Sequence, residues 1–305
     1  MILPMFFMDA HTQLRLTNKL YLKAVLLYVW GAYLLDKPGT DVSTKAFLGA
    51  ASQKVKARIR TNEEGVLAGM QEAEWFLKKL KIKITEAKKD GSKIKKGEDI
   101  LKIEGRASAI LGAERTLLNL LQRMSGVATK TKRVSTKMPK GVKLLATRKT
   151  LWGLLDKRAV TLGGGGTHRL HLRDAILIKE NHITLASNLK RSLKRTLRRA
   201  DQVRFVEIEF ESPDEVNEFL KLYKKIKKLL REGDGIVVML DNFTPRDIRN
   251  VIQPLIQAGI FVELSGGINE RNISKYNIAG VSAISSGSIT SQANNLDFSM
   301  QVDKK

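Results

Sequence analysis

"GIVVMLDNFTPRDIRNVIQPLIQAGIFVELSGG", from Gly235 to Gly267, holds two short apolar runs on either side of an amphipathic segment. The first run ends in Asp241 and the second in Ser265, Gly266 and Gly267. Short, β-branched runs bounded by polar and glycine residues read as buried strands, and the segment between them has a helical period. The same alternation extends outward in both directions. "VKLLATRK" (Val142 to Lys149), "AVTLGGGG" (Ala159 to Gly166), "AILIKENH" (Ala175 to His182) and "RFVEIEF" (Arg204 to Phe210) precede it, and "VSAISSGS" (Val281 to Ser288) follows. Seven strands alternating with helices predict a parallel sheet arranged as a complete or incomplete α/β barrel.

The first hundred residues follow another pattern. An apolar helix, the alternating "KVKARIRT" (Lys54 to Thr61), an amphipathic helix around "EAEWFLKKL" and the turn-rich "KKDGSKIKKGEDILKIEG" (Lys88 to Gly105) predict a small α+β domain. The pattern changes at a helix that opens at Ala113, which sets the expected boundary: residues 1–112 for the first domain and 113–289 for the barrel. The most apolar run, "AVLLYVWGAYLL" (Ala24 to Leu35), is bracketed by Lys23 and Asp36. It falls short of the roughly 20 residues that span a bilayer and reads as a buried helix, so no membrane partner is expected. "MILPMFFMDAHTQ" lacks the basic flank and cleavage site of a signal peptide, and its apolar side chains are expected to pack on the body or on a partner chain.

The absence of cysteine excludes disulfides, thiolate metal sites and a Cys nucleophile, and it fits a reducing cytoplasm. With 54 Lys and Arg against 31 Asp and Glu the net charge is +23, compatible with nucleic acid, an anionic membrane or a polyanionic small molecule. Much of the excess lies in "LKRSLKRTLRRAD" (Leu189 to Asp201) and "KLYKKIKKLL" (Lys221 to Leu230), which read as solvated helix faces. No RNP motif, zinc finger or basic zipper is present, and an aromatic fraction of 6% leaves few stacking platforms. A dedicated nucleic-acid partner is therefore not expected, and a basic nucleic-acid-binding protein is the weaker alternative.

The strand ends carry the chemistry. Arg148 and Lys149, then Gly163 to Gly166 with His168 and Arg169, then Lys179, Glu209, Asp241, Ser265 to Gly267, and Ser286 with Gly287 each follow an apolar run. In α/β barrels such ends converge on one mouth. Arg148, Lys149, Arg169 and Lys179 would repel one another there, and an anionic substrate with several charges would relieve this. The turns "SGGI" and "SSGS" expose backbone N–H groups of the kind that bind phosphate. The glycine run is neither a Walker A loop nor a dinucleotide fingerprint, since no Gly-Lys-Ser/Thr and no acidic ribose partner follow. Glu207, Glu209 and Glu211 alternate and so share one strand face. Of these, Glu209 is expected to reach the mouth beside Asp241, where two carboxylates next to a phosphate-bearing substrate suit Mg²⁺ or ribose hydroxyls. No zinc-type His-Glu-x-x-His spacing occurs.

These residues, in this order, resemble the quinolinate phosphoribosyltransferase family, the carboxylating nicotinate-nucleotide pyrophosphorylases. The matching stretches include "DVSTKAF" (Asp41), "EEGVLAGM" (Glu63), "AERTLLNLLQRMSGVAT", "ATRKT", "GGGGTHRLHLRDAILIKENH", "VEIEFES", "VMLDNFTP", "ELSGGINERNI" and "SSGSITSQANNLDFSM". The resemblance implies an N-terminal α/β (α+β) sandwich, to which residues 290–305 return, followed by an incomplete TIM-like α/β barrel. It implies Mg²⁺-dependent transfer from phosphoribosyl pyrophosphate to quinolinate with decarboxylation. Arg115, Arg148, His168 and Arg169 would hold the quinolinate carboxylates. Lys149 and Lys179 would meet the substrate or pyrophosphate, Glu209 and Asp241 the ribose and Mg²⁺, and Ser265, Gly266, Gly267, Ser286 and Gly287 the 5′-phosphate. Arg115 would complete the neighbouring subunit's site, which makes a homodimer the smallest active unit and leaves room for a higher oligomer. A related transferase acting on another aromatic acid is the nearest alternative. The chain departs from the family at "LWGLLD" (Leu151 to Asp156), which replaces Thr-Pro-Gly-Leu-Arg, and at Thr167 and His171.

Overall fold

The computed structural model describes residues 11–37, 39–49, 53–229 and 236–303. Most of the N-terminal apolar segment, Met1 to Ala10, therefore lies outside the described residues. In chain order the elements are α1 (Lys19–Val25), α2 (Gly31–Asp36), α3 (Val42–Leu48), β1 (Lys54–Thr61), β2 (Gly65–Val66), α4 (Met70–Lys79), β3 (Lys83–Ala87), β4 (Lys93–Ile94), β5 (Asp99–Arg106) and α5 (Ala107–Ser135). Then come β6 (Lys143–Ala146), α6 (Leu154–Leu162), β7 (Ile176–Ile178), α7 (Glu180–Thr184), α8 (Leu189–Leu197), β8 (Val206–Phe210) and α9 (Pro213–Ile226). The last are β9 (Ile236–Asp241), α10 (Pro245–Gln257), β10 (Phe261–Ser265), β11 (Val281–Ser286), α11 (Ser288–Ser291) and β12 (Phe298–Val302).

Two compact units result. The first takes 11–133, 150–165 and 289–303; the second takes 134–149 and 166–288. The first unit is built on an antiparallel sheet of order β12-β1-β5-β3, in which the C-terminal strand lies beside β1 with Ile59 opposite Met300. The expected boundary at 112/113 falls inside α5, because the helix is continuous from the end of β5 and shares its first 27 residues' fold with that unit. In α1 and α2, joined by a π-helical turn, the stripe Tyr21, Val25, Val29 and Tyr33 is buried. The opposite face is not: Leu27 is 68% and Leu35 85% exposed. The reading of this run as a buried helix thus holds for one stripe only.

The second unit is a parallel six-stranded sheet of order β6-β11-β10-β9-β8-β7, an incomplete α/β barrel. Its crossover helices start on clear signals. Ser212 and Glu215 form a capping box on either side of Pro213, and Thr244 caps α10 ahead of Pro245. On α10, Ile248, Val251, Ile252 and Leu255 recur at helical spacing and are buried, each contributing roughly 1.5–3 kcal/mol.

"AVTLGGGG" does not form the expected strand. Ala159 to Leu162 complete α6, and only Gly166 pairs with the sheet, through an isolated parallel bridge to Leu145. Its N–H donates to Leu144 O at 2.8 Å and its carbonyl accepts from Ala146 N at 2.9 Å. The apolar residues belong to a helix whose end is set by glycine, the residue least able to hold a strand.

Inside the barrel, alternate residues stack in layers. Leu145, Ala175, Phe205, Val237 and Ala283 form an apolar bottom layer with Phe261 packed against it. Two residues further along the strands come Glu207, Met239, Glu263 and Ser285, and two further still Glu209, Asp241 and Ser265.

In the first unit, Arg123 of α5 bonds both oxygens of Asp156 (2.9 and 2.8 Å) and the carbonyls of Thr290 (2.8 Å) and Ala293 (3.2 Å), with both side chains buried. Asp156 also accepts the N–H groups of Leu151 and Trp152, which orders the divergent "LWGLLD" turn. Arg123→Ala strands a buried carboxylate, and urea unfolding is expected to show a loss of about 3–5 kcal/mol.

Candidate active site

The C-terminal ends of the parallel strands enclose a cavity of about 310 Å³. Arg148, Lys149, Arg169 and Lys179 face it together with Glu209 and Asp241. Thr147, His168, Leu177, Met239, Ser265 and Ser285 complete the wall. The strand-end residues meet because Glu209, Asp241 and Ser265 lie in the last ladder pairs of their strands and Arg148, Lys149 and Lys179 follow just beyond theirs.

Lys179 pairs with Glu209, whose side chain is only 10% exposed, while the lysine is 44% exposed. His182 accepts the Lys179 N–H at 3.0 Å and so fixes the backbone that carries it. Burial and then the neighbouring Arg148 push the Arg169 guanidinium below its ordinary range, the cation crowding that the sequence implies. Oxygens of Glu209, Glu211 and Asp241 come within 4.8 Å of one another, an oxygen-only donor set that fits a hard cation. Glu211 lies just beyond the strand and is exposed; Glu180 first, then burial and Asp241, push its carboxyl up.

The two glycine turns differ. Gly266 and Gly267 have φ of +87° and +61°, and a Cβ at Gly266 would stand 2.3 Å from Asn242 Oδ1 and 2.4 Å from its backbone N. Only glycine fits there. In the second turn Ser286 is buried and donates to Ile268 O at 2.6 Å, so its hydroxyl braces the first turn. Ser285, one residue earlier, faces the cavity instead. A Cβ on Gly287 would touch the Lys149 stem at 3.4 Å.

Beneath the cations lies a group that sequence reading only half found. Glu207 and Glu263 are fully buried, and His168 Nε2 lies 2.9 Å from Glu207 Oε2 and 3.4 Å from Glu263 Oε2, ion-pair contacts not aligned as hydrogen bonds. The Arg169 N–H donates to His168 Nδ1 at 2.7 Å. Burial disfavours the His168 cation, but Glu263 and Glu207 outweigh it and raise the imidazole to about 10. Burial and Glu263 raise Glu207 to about 7. The Arg169 bond requires the Nδ1 lone pair, which an imidazolium lacks, so with that bond made the ring is neutral with its one hydrogen on Nε2, and the further proton that this cluster holds sits on the glutamate side, at Glu207. Glu263 carried no sequence signal beyond a charge inside an apolar run.

Arg115 belongs to the first unit, where it lines a cavity of about 140 Å³ with Asn119, Tyr28 and Trp152. The two rings stack, 6.4 Å apart and inclined by 14°. A second basic concavity in the barrel unit, lined by Arg191, Lys194, Arg195, Arg198 and Arg199, contains no carboxylate and so lacks the opposed charges of the barrel mouth.

Comparison with known proteins decides the family. Residues 41–125 match the quinolinate phosphoribosyl transferase N-terminal domain, and residues 127–301 match its C-terminal domain. The chain belongs to the quinolinate phosphoribosyltransferase family. It is 38% identical to a probable carboxylating nicotinate-nucleotide pyrophosphorylase of Methanothermobacter thermautotrophicus, over 86% of this chain and 93% of that relative. It is 34% identical to the decarboxylating quinolinate phosphoribosyltransferase 1 of Nicotiana glauca, over 86% and 77% respectively. The solved nicotinate-nucleotide pyrophosphorylase of Francisella tularensis is similar at a TM-score of 0.78 and 33% identity, over 92% of this chain and 96% of that one.

In this family member the loop before β7 is pinned by Asp174, which accepts the Leu170 N–H at 2.7 Å and pairs with Arg204. Burial opposes ionisation of Asp174, yet Arg204 and the Leu170 N–H prevail and hold it below the usual range. Its stabilising contribution is therefore present above the unfolded carboxyl pKa of about 3.9 and lost as pH falls through the folded value. Asp174→Asn should lower stability at pH 7 by roughly 1.5–3 kcal/mol and flatten that acid limb in urea titrations at stepped pH.

Proposed function

We propose that the barrel mouth joins quinolinate to phosphoribosyl pyrophosphate, releasing pyrophosphate and carbon dioxide and leaving nicotinate mononucleotide, a step of NAD biosynthesis. The observation that carries this assignment is four cations and two carboxylates converging on one cavity in a chain of this family.

Quinolinate carries two adjacent carboxylates on a pyridine ring. Arg148 and Arg169 are suited to them, as guanidinium forks bind carboxylates in two-point contacts. Lys149 and Lys179 sit where a pyrophosphate leaving group needs compensation. The Ser265–Gly267 and Ser286–Gly287 turns offer backbone N–H groups to the 5′-phosphate. Attack of the pyridine nitrogen on ribose C1 breaks the bond to pyrophosphate through a sugar with cationic character, which Glu209 and Asp241 stabilise electrostatically. The ring, now a pyridinium, accepts the electron pair left when the C2 carboxylate departs as carbon dioxide, and a proton replaces it. Mg²⁺ held by Glu209, Asp241 and substrate oxygens would neutralise the leaving group. The oxygen-only donor set supports this choice of ion.

A homodimer with shared sites is part of the proposal. The exposed apolar side chains of Leu27, Leu34 and Leu35, with Phe47 at 90% exposure, support a subunit contact. No helix among the described residues is long and apolar enough to cross a membrane. The lack of cysteine supports a cytoplasmic setting.

Purified protein given quinolinate, phosphoribosyl pyrophosphate and Mg²⁺ should yield nicotinate mononucleotide and carbon dioxide in equal amounts. Arg169→Ala should raise KM for quinolinate about 10- to 100-fold, and Lys179→Ala or Glu209→Ala should lower kcat by about 100-fold or more. No turnover from a folded protein that still binds phosphoribosyl pyrophosphate would transfer the reading to another aromatic acid. Arg115→Ala and Lys179→Ala chains, each inactive alone, should recover activity when mixed; no recovery despite demonstrated subunit exchange rules out shared sites.

A further inference from the structure

His168 is built into the protein through both ring nitrogens. Nε2 sits between Glu207 and Glu263, and Nδ1 accepts the N–H of the next residue, Arg169. Its ring stands edge-on to Phe205 of the bottom layer, 5.3 Å between centroids and 89° between planes. Its carbonyl is held in turn by the Thr167 hydroxyl at 2.8 Å and Arg204 Nη2 at 3.0 Å. Ser285 donates to Glu263, which aims the other carboxylate oxygen at the imidazole. The ring lines the cavity with Nε2 buried and Nδ1 already engaged. The backbone here is also unusual. His168 has φ of +51°, the left-handed region, which turns the chain sharply just before Arg169.

We propose that Glu263 and Glu207 are positioning residues for substrate binding: they clamp the His168 ring by Nε2, so that Nδ1 fixes the Arg169 N–H and directs the Arg169 guanidinium into the cavity. This rests on the assignment of that cavity to quinolinate. It gives the cavity-lining His168 a role that acts through Arg169.

Two carboxylates in the dry middle layer of a barrel cost more than the apolar packing found one layer below. Their return is geometric. A guanidinium at the end of a loop with no ladder bonds must be held to about 0.5 Å to meet a planar carboxylate in two-point fashion. The Glu–His–backbone relay does this from two different strands, β8 and β10. It resembles the way an outer partner fixes a catalytic imidazole's tautomer and ring plane.

The test separates positioning from folding by comparing the two substrates. Glu263→Gln keeps the size and the Ser285 contact, and Glu207→Gln removes the closer charge. Each is expected to raise KM for quinolinate about tenfold, the scale of one weakened charge-assisted hydrogen bond, while KM for phosphoribosyl pyrophosphate stays within about twofold. His168→Asn supplies an amide oxygen near the Nδ1 position and tolerates positive φ; His168→Phe supplies neither. The asparagine variant should therefore recover most of the quinolinate affinity that the phenylalanine variant loses, read by calorimetric titration of quinolinate into each folded protein. Wild-type KM values in both glutamine variants overturn the proposal, as does an equal rise for both substrates or equal impairment of the two His168 variants. Absence of turnover in the wild-type protein would instead sink the assignment of the reaction.

Discussion

An inward position on a closing parallel sheet is dry near the strands' beginnings and wet near their ends. Every second residue must obey that gradient. Along β8 the sequence Phe205, Glu207, Glu209 passes from apolar packing, through a buried carboxylate, to one facing the cavity. Along β10, Phe261, Glu263 and Ser265 repeat the progression. The middle layer is where the gradient is contradicted, since two carboxylates, Glu207 and Glu263, are fully buried there. His168 is the compensating group, and the placement of the cations above it depends on that compensation.

The mouth is in turn over-supplied with positive charge. Arg169 is held below its ordinary range by burial and by Arg148, while Lys179 pairs with Glu209. Repulsion of this kind is a cost in the empty site that an anionic ligand removes. Charge arranged before the substrate arrives needs no rearrangement as the ribose gains cationic character and pyrophosphate leaves. Strand ends suit this purpose because their side chains are anchored by ladder bonds just below.

The architecture was legible because each apolar run was short and ended in polar or glycine residues, with amphipathic segments of helical period between the runs. Most of the site followed from the same pattern, since Arg148, Lys149, Lys179, Glu209, Asp241 and Ser265 stand where runs end. What was hidden depends on parity and on parts distant in sequence. Ser285 and Ser286 are neighbours, and a one-residue register difference sends one to the cavity and the other to the Ile268 carbonyl. Glu263 looks like any charge in a strand until β10 is placed opposite His168. "AVTLGGGG" has the composition of a buried strand, but its apolar half fits one face of α6 equally well.

That missing strand has a structural consequence. Had residues 159–166 formed a full ladder with β6, the chain leaving it would have carried strand geometry toward the mouth. Only Gly166 pairs, so the segment from Thr167 to Asp174 is released from the sheet at the place where the barrel is incomplete. Freed of ladder bonds, it can adopt the left-handed turn at His168 that a paired strand forbids. Freed of them, it also needs other anchors, and these are side chains: Asp174 with Arg204 and the Leu170 N–H, and His168 with two buried glutamates. The gap in the barrel and the buried charges beneath it are thus two aspects of one solution, in which a loop replaces a strand and polar anchors replace its ladder.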